Sequence, residues 1–386
     1  MGRKEEKTAL EAGVKSFITA IIVIFIMMIV TYALTFIIPG GGIPFWKWAL
    51  SPILVLFSED NSSMIAVIIL LIVLGGLFNT LDKFGKSRRI LLAVIPLFFM
   101  VLGSAIGTFE ECVPLVPIVV ALAIRLGWDA LTGPGMSILA AGCGFAAGVC
   151  NPFTVGVAQE IAGLRTFSGI WLRIVGFVLI YGLLMLFLWW HVKKIEKPMD
   201  TVIAGGETKK EKASEIQRSV GSKILKIVLT FKDGVISVLP GVLLIMMANS
   251  IRYTLMEGNI LDAFLAGAIE LVAGLPRWGV ILFIYALVLV MNFFIPSGSA
   301  KAFLLMPLIV PTAEAFGISS QLCVLAFAFG DGFSNVFYPT NPVLLISLGL
   351  ANISYGNWVK WSGKFQLANL ILTSVILLFG LAVGYC

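Results

Sequence analysis

Long apolar runs recur along this 386-residue sequence, and they restrict its fold more than any other feature. A helix of about 17–25 apolar residues is long enough to cross the hydrocarbon core of a bilayer. Only 12% of the residues are charged, about half the share found in a soluble domain. The sequence therefore predicts an all-α membrane protein that crosses the bilayer several times. The apolar segments are 17–38, 63–81, 90–106, 112–128, 135–161, 169–191, 233–256, 279–295, 302–316, 320–348 and 362–384.

Basic residues cluster in a few loops and predict the orientation of the chain. The stretches 83–89 and 193–226 are rich in Lys and Arg, which favour the cytoplasmic side, whereas the loops near 40–62 and 257–278 carry one basic residue each. We expect a cytoplasmic N terminus, a cytoplasmic linker at 193–231, a C terminus outside, and insertion in the inner membrane. Because the net charge of +6 lies in membrane-side loops, it does not indicate a nucleic-acid partner. Five scattered cysteines also exclude a secreted disulfide scaffold.

Two polar clusters interrupt the apolar sequence, GTFEE at 107–111 and PSGSAK at 296–301. After each cluster, three related motifs follow in the same order and at similar spacing. We therefore predict two repeats, 1–192 and 232–386, on either side of the basic linker. The matching motifs are PLVP (114–117) with PLIVP (307–311), VCNPFTVG (149–156) with YPTNPVLL (338–345), and FSGIWLR (167–173) with SYGNWVKW (354–361).

The two repeats are predicted to have opposite orientations in the membrane. The segments that flank the first cluster begin and end inside, near Arg88 and Arg125, whereas those of the second begin and end outside, near Arg277 and Gly317. Inverted repeats are typical of secondary transporters. Each cluster is then the tip of a re-entrant hairpin, entering from the inner side in the first repeat and from the outer side in the second. Two complete spans would give the same charge pattern, so that alternative stays open.

Asn-Pro sequences predict a break in one helix of each repeat. Proline lacks a backbone N–H, and the residue before it avoids the α conformation. The helix over 135–161 should break at Asn151 and Pro152, and the helix over 320–348 should break across 339–342. Broken helices at membrane depth direct free N–H groups at anions and free carbonyls at cations. We expect the two tips and the two breaks to form one binding site at the bilayer midplane.

Polar and charged residues at the tips and breaks are the predicted site residues, since ionisable groups inside a bilayer cost about 2.5–3.5 kcal/mol on insertion scales. Glu110 and Glu111 repel each other in surroundings of low polarity and need a proton, a sodium ion or a cationic group of the solute, unless they form a solvated turn. Lys301 could meet a solute carboxylate or pair with Asp331, which could itself fix the broken helix or bind solute. No catalytic residue is predicted. The predicted solute-binding residues are Glu110, Glu111, Asn151, Pro152, Thr154, Ser297, Gly298, Ser299, Lys301, Thr340 and Asn341, and the predicted cation-binding residues, for Na⁺ as the one metal, are Thr108, Glu110, Asn151, Ser299, Asp331, Asn335 and Asn341.

Three stretches of this sequence resemble a known transporter family: CNPFTVGVAQEIAGL, PSGSAKAFLLMPLIVP and FGDGFSNVFYPTNP. They are similar to the C4-dicarboxylate anaerobic carrier family, in its YfcC-like branch, within the ion transporter superfamily. The resemblance covers roughly 14–190 and 230–385. It implies a homodimeric elevator transporter, in which a domain of two hairpins and two broken helices slides against a scaffold and cations bind at the hairpin tips. The second repeat departs from this pattern, with one span (233–256) before its hairpin where the first has two.

These observations predict a secondary active transporter for a small carboxylate-bearing solute, driven by H⁺, Na⁺ or exchange, with no other cofactor. No phosphate-binding GxxxxGK[ST] motif occurs, so ATP is not the expected energy source. The two acids at the first tip favour an amino acid, including a basic one, whereas the family name suggests a C4-dicarboxylate. An ion channel is a further alternative. An intramembrane aspartyl protease would need a second mid-span aspartate beside Asp331, so we do not expect an enzyme.

Overall fold

The computed structural model describes the chain in several stretches. The described residues are 29, 44–50, 88–107, 109–196, 267, 271–272 and 274–386. The predicted segments 63–81 and 233–256, the segment 17–38 apart from residue 29, and most of the linker 193–231 lie outside them. The chain divides into two compact units, Met1–Ser87 with Glu215–Ser237, and Arg88–Ser214 with Val238–Cys386. The first unit contributes one short described helix, α1 (Phe45–Ala49), and all other helices below belong to the second.

Helices build the second unit, and its described residues contain no strand, so the predicted all-α class is confirmed. Irregular turns join several of the helices: π segments at Leu102–Ile106, Gly135–Leu139 and Pro152–Gly156, and 3-10 segments at Glu110–Leu115 and Phe333–Val336. The helices are α2 (Arg88–Val101), α3 (Val116–Arg125), α4 (Thr132–Pro134), α5 (Ala140–Ala147), α6 (Val157–Ile161), α7 (Ile170–Ile195), α8 (Arg277–Phe294), α9 (Gly298–Ala315), α10 (Ser320–Gly332), α11 (Pro342–Leu350) and α12 (Tyr355–Ala382).

Five helical segments in the described part are long and apolar enough to cross a membrane. The last of them begins earlier than the segment 362–384 predicted from the sequence. Ser354 starts it by accepting a hydrogen bond from the backbone N–H of Asn357. Lys360 therefore lies inside α12 rather than before it, and it remains exposed. The five segments are Arg88–Ile106, Thr132–Ile161, Ile170–Ile195, Arg277–Phe294 and Tyr355–Ala382.

The second unit contains the same series of elements twice. A helical hairpin (α2 and α3, then α8 and α9) is followed by an interrupted helix (α4 to α6, then α10 and α11) and by one long helix (α7, then α12). The long helices begin within the matching motifs FSGIWLR and SYGNWVKW. The order of helices thus agrees with the repeat inferred from the motifs. The domain limits 1–192 and 232–386 stay a prediction, because parts of both ranges lie outside the described residues.

The two copies interlock at their interrupted helices. α5 crosses α10 and its 3-10 extension, and small residues allow the close approach: Gly332 lies directly against Ala146, and Gly142 lies against Val336. A Cβ atom at either glycine would overlap the other helix. The second arm of each hairpin packs on the second half of the other copy's interrupted helix, α3 on α11 and α9 on α6. This exchange connects the two copies within one compact unit.

The long helices are joined to their surroundings at both ends by related contacts. At one end, His191 near the end of α7 contacts Asp129, with 3.0 Å between Nε2 and Oδ2, and accepts a hydrogen bond at Nδ1 from Trp361 of α12. At the other end, the Tyr385 carbonyl after α12 accepts a hydrogen bond from Ser319, and the Tyr385 ring packs edge-on against Trp171 of α7. Each long helix is therefore tied to the start of its own interrupted helix and to the other long helix.

Candidate functional site

The residues just before the first hairpin tip are hydrogen-bonded to the first helix break, through one hydroxyl and one backbone carbonyl. The Ser104 hydroxyl accepts a hydrogen bond from the backbone N–H of Val149, and the Ser104 carbonyl accepts one from Cys150, both at 3.0 Å. Gly107, which ends the tip, has a left-handed φ of 76° and lies against the side chain of Asn151. A side chain at this position would be strained by its backbone and would overlap Asn151.

The first break begins where α5 ends, at a left-handed Gly148, three residues before the predicted Asn151. Asn151 is extended, and its Oδ1 accepts hydrogen bonds from the backbone N–H groups of Phe153 (2.9 Å) and Thr154 (3.3 Å), which restarts the helix after Pro152. The predicted break is thus confirmed. The Asn151 Nδ2 and Thr154 Oγ1 atoms are buried and have no hydrogen-bond partner among the described residues.

The second hairpin tip is the point where parts of both copies meet. Ser297 caps α9 by accepting a hydrogen bond from the backbone N–H of Ala300. A Cβ atom at the next residue, Gly298, would lie 2.6 Å from Thr154 of the first copy and 2.6 Å from Asp331 Oδ2 of the second. The methyl group of Thr154 and the free carboxylate oxygen of Asp331 therefore face the same side of this tip.

A fully buried ion pair lies behind the second tip. Lys301 Nζ is 2.6 Å from Asp331 Oδ1 and also donates to the Ile295 carbonyl (3.1 Å) and to the side-chain oxygen of Asn292. An ammonium group has three N–H donors, and all three are used. The sequence left two partners open for Lys301, a solute carboxylate or Asp331. In the structure Lys301 pairs with Asp331 and has no N–H donor left for a solute carboxylate. Asp331 Oδ2 is buried without a partner in the described part of the chain.

Amide side chains connect this ion pair to the second break. Asn292 Nδ2 donates to the Asp331 carbonyl and to Asn335 Oδ1, both at 3.0 Å, and Asn341 Nδ2 donates to the same Asn335 oxygen at 3.0 Å. Asn341 Oδ1 accepts a hydrogen bond from Val343 N (2.9 Å) and so starts α11. The chain is non-helical from the end of Phe333–Val336 to Pro342, which confirms the predicted second break.

Several predicted site residues are exposed or half-buried. Glu110 and Glu111 are exposed, and neither forms an ion pair with another described residue, although Glu110 interacts electrostatically with Asp331. Their low-polarity surroundings and their cation partner stay a prediction. Ser297 and Pro152 are exposed, Ser299 and Thr340 are half-buried, and the Thr340 hydroxyl oxygen is buried without a partner among described residues. Thr108 lies outside the described residues.

Two residues that hold the tips were missed by sequence reasoning. Ser104 stands three residues before the tip cluster 107–111, Asn292 stands four residues before the cluster 296–301, and each contacts the interrupted helix of its own copy. Their signal was present: Asn292 is the one amide in the apolar run 280–294. No group of three or more His, Cys, Asp or Glu side chains suited to a metal occurs in the described ranges.

Comparisons with known proteins agree on a class. The sequence profile of the DcuC family, C4-dicarboxylate anaerobic carrier, matches residues 49–232 and 216–382. The Escherichia coli K12 protein named "Putative basic amino acid antiporter YfcC" is 26% identical over 83% of this chain and 78% of its own length. A Haemophilus influenzae protein is 25% identical over 83% of this chain and 76% of its own.

Among solved structures, the YdaH transporter of Alcanivorax borkumensis aligns with a TM-score of 0.49 and 18% identity over 78% of this chain and 82% of its own. The family profile covers most of the sequence, from before α2 to the end of α12. The apolar helices of the second unit are those of a protein that crosses the membrane several times. This chain therefore belongs to the C4-dicarboxylate anaerobic carrier family of membrane transporters.

Proposed function

We propose that this chain is a secondary active transporter of the inner membrane that carries a small carboxylate-bearing solute. Basic amino acids are the solute class that we favour. One observation carries the proposal. At the second hairpin tip, Gly298 contacts the first break at Thr154 and the second interrupted helix at Asp331. Buried polar atoms without partners in the described part lie at both breaks and beside this tip.

Unpartnered buried atoms are the chemical argument for a ligand. Each buried polar group without a hydrogen bond costs about 1–3 kcal/mol, and native proteins keep such groups rare. The four atoms are one amide donor (Asn151), one carboxylate acceptor (Asp331) and two hydroxyls (Thr154, Thr340). A solute that has both a carboxylate and an ammonium group can satisfy a donor and an acceptor together, as an amino acid does.

A coupling cation also fits this set of atoms. Asp331 Oδ2 is an unpartnered oxygen beside Gly298, and the hydroxyl oxygen of Thr154, whose methyl group contacts Gly298, is unpartnered as well. Hard cations prefer oxygen ligands. We propose Na⁺ as the first coupling ion to test, with H⁺ and exchange of internal solute as the alternatives. Sodium at this place would also neutralise the Asp331 oxygen that the Lys301 ammonium does not contact.

Elevator movement is the proposed transport step. The two hairpins and the two interrupted helices are the elements that the family resemblance assigns to the moving domain. All four belong to one compact unit. A movement of that unit as one body would carry both tips and both breaks together, so the proposed site would stay assembled.

A C4-dicarboxylate is the second candidate, favoured by the description of the matching family. Its second carboxylate would approach Glu110 and Asp331, which already interact electrostatically. Like charges at such a site repel unless cations neutralise them. A basic amino acid avoids this repulsion, and the name of the Escherichia coli relative describes that class.

Uptake into liposomes tests the proposal. Purified protein is given L-arginine, L-lysine, L-aspartate, succinate or fumarate, with a Na⁺ gradient, a pH gradient or internal solute imposed separately. We expect saturable uptake of a basic amino acid. Uptake of none of these solutes would overturn the proposal, and so would a non-saturable flux.

Two threonine variants show whether the uptake depends on the proposed site. Thr154→Val removes an unpartnered hydroxyl at constant shape, so it should lower the apparent affinity for solute or Na⁺. Thr312→Val is the matched control, because the Thr312 hydroxyl donates within α9 to the Leu308 carbonyl at 2.7 Å. Equal uptake by both variants would place the site elsewhere.

A further inference from the structure

A buried arginine outside the site described above lacks a counter-charge. Arg173, near the start of α7, is fully buried, and its Nη2 donates to the Ser168 carbonyl at 2.8 Å. Its Nε and Nη1 atoms have no partner among the described residues, and no carboxylate of those residues lies within ion-pair distance. The ionisable side chains that act on it electrostatically, Cys150 and Tyr385, are not carboxylic acids.

Two ordinary explanations for such an arginine do not fit. Arginines near helix ends usually reach to water while their stems cover apolar surface, but this guanidinium is buried. Buried arginines in stable cores are usually paired, because an uncompensated buried charge is strongly destabilising. Arg173 has neither water access nor an acid in the described part of the chain, so an anion from outside is the remaining partner.

Neutral polar groups connect Arg173 to an open cavity. The Ser168 carbonyl that accepts from Arg173 also accepts from Gln159 Nε2 (3.0 Å), which in turn donates to Gln321 Oε1 (2.9 Å). Gln321 and Tyr385 line a cavity of about 510 Å³ that opens at this end of the unit. On the other side, Cys150 directly precedes Asn151 of the first break.

We propose that Arg173 forms a second, carboxylate-binding site between this cavity and the first break, where the solute carboxylate is held on its way to the tips. The Gln321 side chain, which now donates to the Ser168 hydroxyl, would move aside to admit it. The guanidinium suits a carboxylate because both are planar and their hydrogen bonds are charge-assisted. The identity of the carboxylate-bearing solute rests on the proposed function, whereas the site itself rests on the burial and free donors of Arg173.

Ligand-induced thermal stabilisation tests the site without any transport. Purified protein in detergent is melted with acetate, succinate or L-arginine, and with acetamide, succinamide or L-argininamide as the matched amides, at constant ionic strength. In the wild type, at least one carboxylate should raise the melting temperature more than its amide does. That difference should vanish in Arg173→Gln and be partly kept in Arg173→Lys, which retains the charge.

Two further variants separate a binding arginine from a structural one. Arg173→Met removes an uncompensated buried charge, so without ligand it should melt at or above the wild-type temperature. Arg165→Gln removes an exposed arginine nearby and should keep the wild-type preference for the carboxylate. The inference is overturned if no carboxylate stabilises the wild type more than its amide, if Arg173→Gln keeps the difference, or if Arg173→Met melts well below the wild type.

Transport then distinguishes this inference from the proposed function. In liposomes, Arg173→Gln should raise the KM for the carboxylate about tenfold or more, with little change in the maximal rate, because a charge-assisted bond is lost at a holding site. Unchanged KM would overturn the holding site while leaving the transporter assignment intact. The protein could instead be stabilised by a carboxylate more than by its amide and yet transport no solute. That result would support the Arg173 site and overturn the proposed transport function.

Discussion

The two hairpin tips share one frame and differ in where they put their charges. In both copies, a polar residue shortly before the tip, Ser104 or Asn292, contacts the interrupted helix that follows. The first tip keeps its acids exposed, whereas the second buries Lys301 and Asp331 completely. Duplication therefore explains the shared backbone, and the charged residues show how each copy has specialised. The second tip is fixed by an internal ion pair, and the first is free to present its charge.

Breaking the buried pair should have the largest effect. Lys301→Met or Asp331→Leu leaves one uncompensated buried charge, which typically costs about 3–5 kcal/mol. Each single variant should therefore melt far below the wild type. The double variant, Lys301→Met with Asp331→Leu, should recover much of the loss, because neither charge remains. Additive losses in the double variant would mean that the two side chains do not stabilise the tip as a pair.

Closing the second tip with a methyl group should abolish transport with a smaller loss of stability. In Gly298→Ala the Cβ would overlap Asp331 Oδ2 and Thr154, so these groups must separate. At the first tip, Gly107→Ala adds backbone strain to an overlap with Asn151. Gly163→Ala is the control, since Gly163 has a φ of 67° but no atom within 4 Å of an added Cβ. Uptake by Gly298→Ala equal to that of the control would show that the contact at the second tip is not needed.

Neutralising the first tip should change solute or ion binding more than stability. Glu110 and Glu111 are exposed, so the free energy of unfolding of Glu110→Gln and of Glu111→Gln should lie within about 0.5 kcal/mol of the wild-type value. We expect weaker binding of a basic amino acid and unchanged binding of its des-amino analogue. A flatter pH dependence with intact exchange would indicate a proton as partner, and a raised Na⁺ requirement would indicate sodium. If both variants keep the wild-type affinity, pH profile and Na⁺ response, Glu110 and Glu111 are part of a solvated turn and do not bind solute or ion.

Backbone features of this fold were readable from the sequence, and side-chain partnerships were not. Pro152 and Pro342 predict the two breaks because proline lacks an N–H and restricts the residue before it. The choice between two partners of Lys301 depended on a residue thirty positions away, which only tertiary packing decides. The early start of α12 was hidden because Lys360, read as a loop residue, lies on an exposed helix face. Arg173 is the last residue of the motif FSGIWLR, which was used only as evidence for the repeat, so its burial was not predicted.

His191, the single histidine of the sequence, makes the contacts at the two ends of the long helices chemically different. Its Nδ1 accepts from the indole N–H of Trp361, so the neutral ring must carry its proton on Nε2, toward Asp129. Burial alone would raise the pKa of Asp129, but hydrogen bonds from His191 and Thr132 outweigh it and hold that pKa below its usual range.

The ionised Asp129 therefore stabilises the fold fully at pH values above the pKa that it has in the unfolded chain. This stabilisation is lost as the pH falls through the lower pKa of the folded protein. The opposite end, joined through Ser319 and Tyr385, has no carboxylate in these contacts. As pH falls through the folded pKa of Asp129, hydrogen-exchange protection, corrected for the intrinsic rate at each pH, should be lost near Asp129 more than near Tyr385, and Asp129→Asn should remove the difference. Equal loss of protection at both ends would contradict this. The two joints of this duplicated frame therefore differ in their response to pH, because one of them includes a carboxylate whose pKa is lowered and the other joins neutral groups.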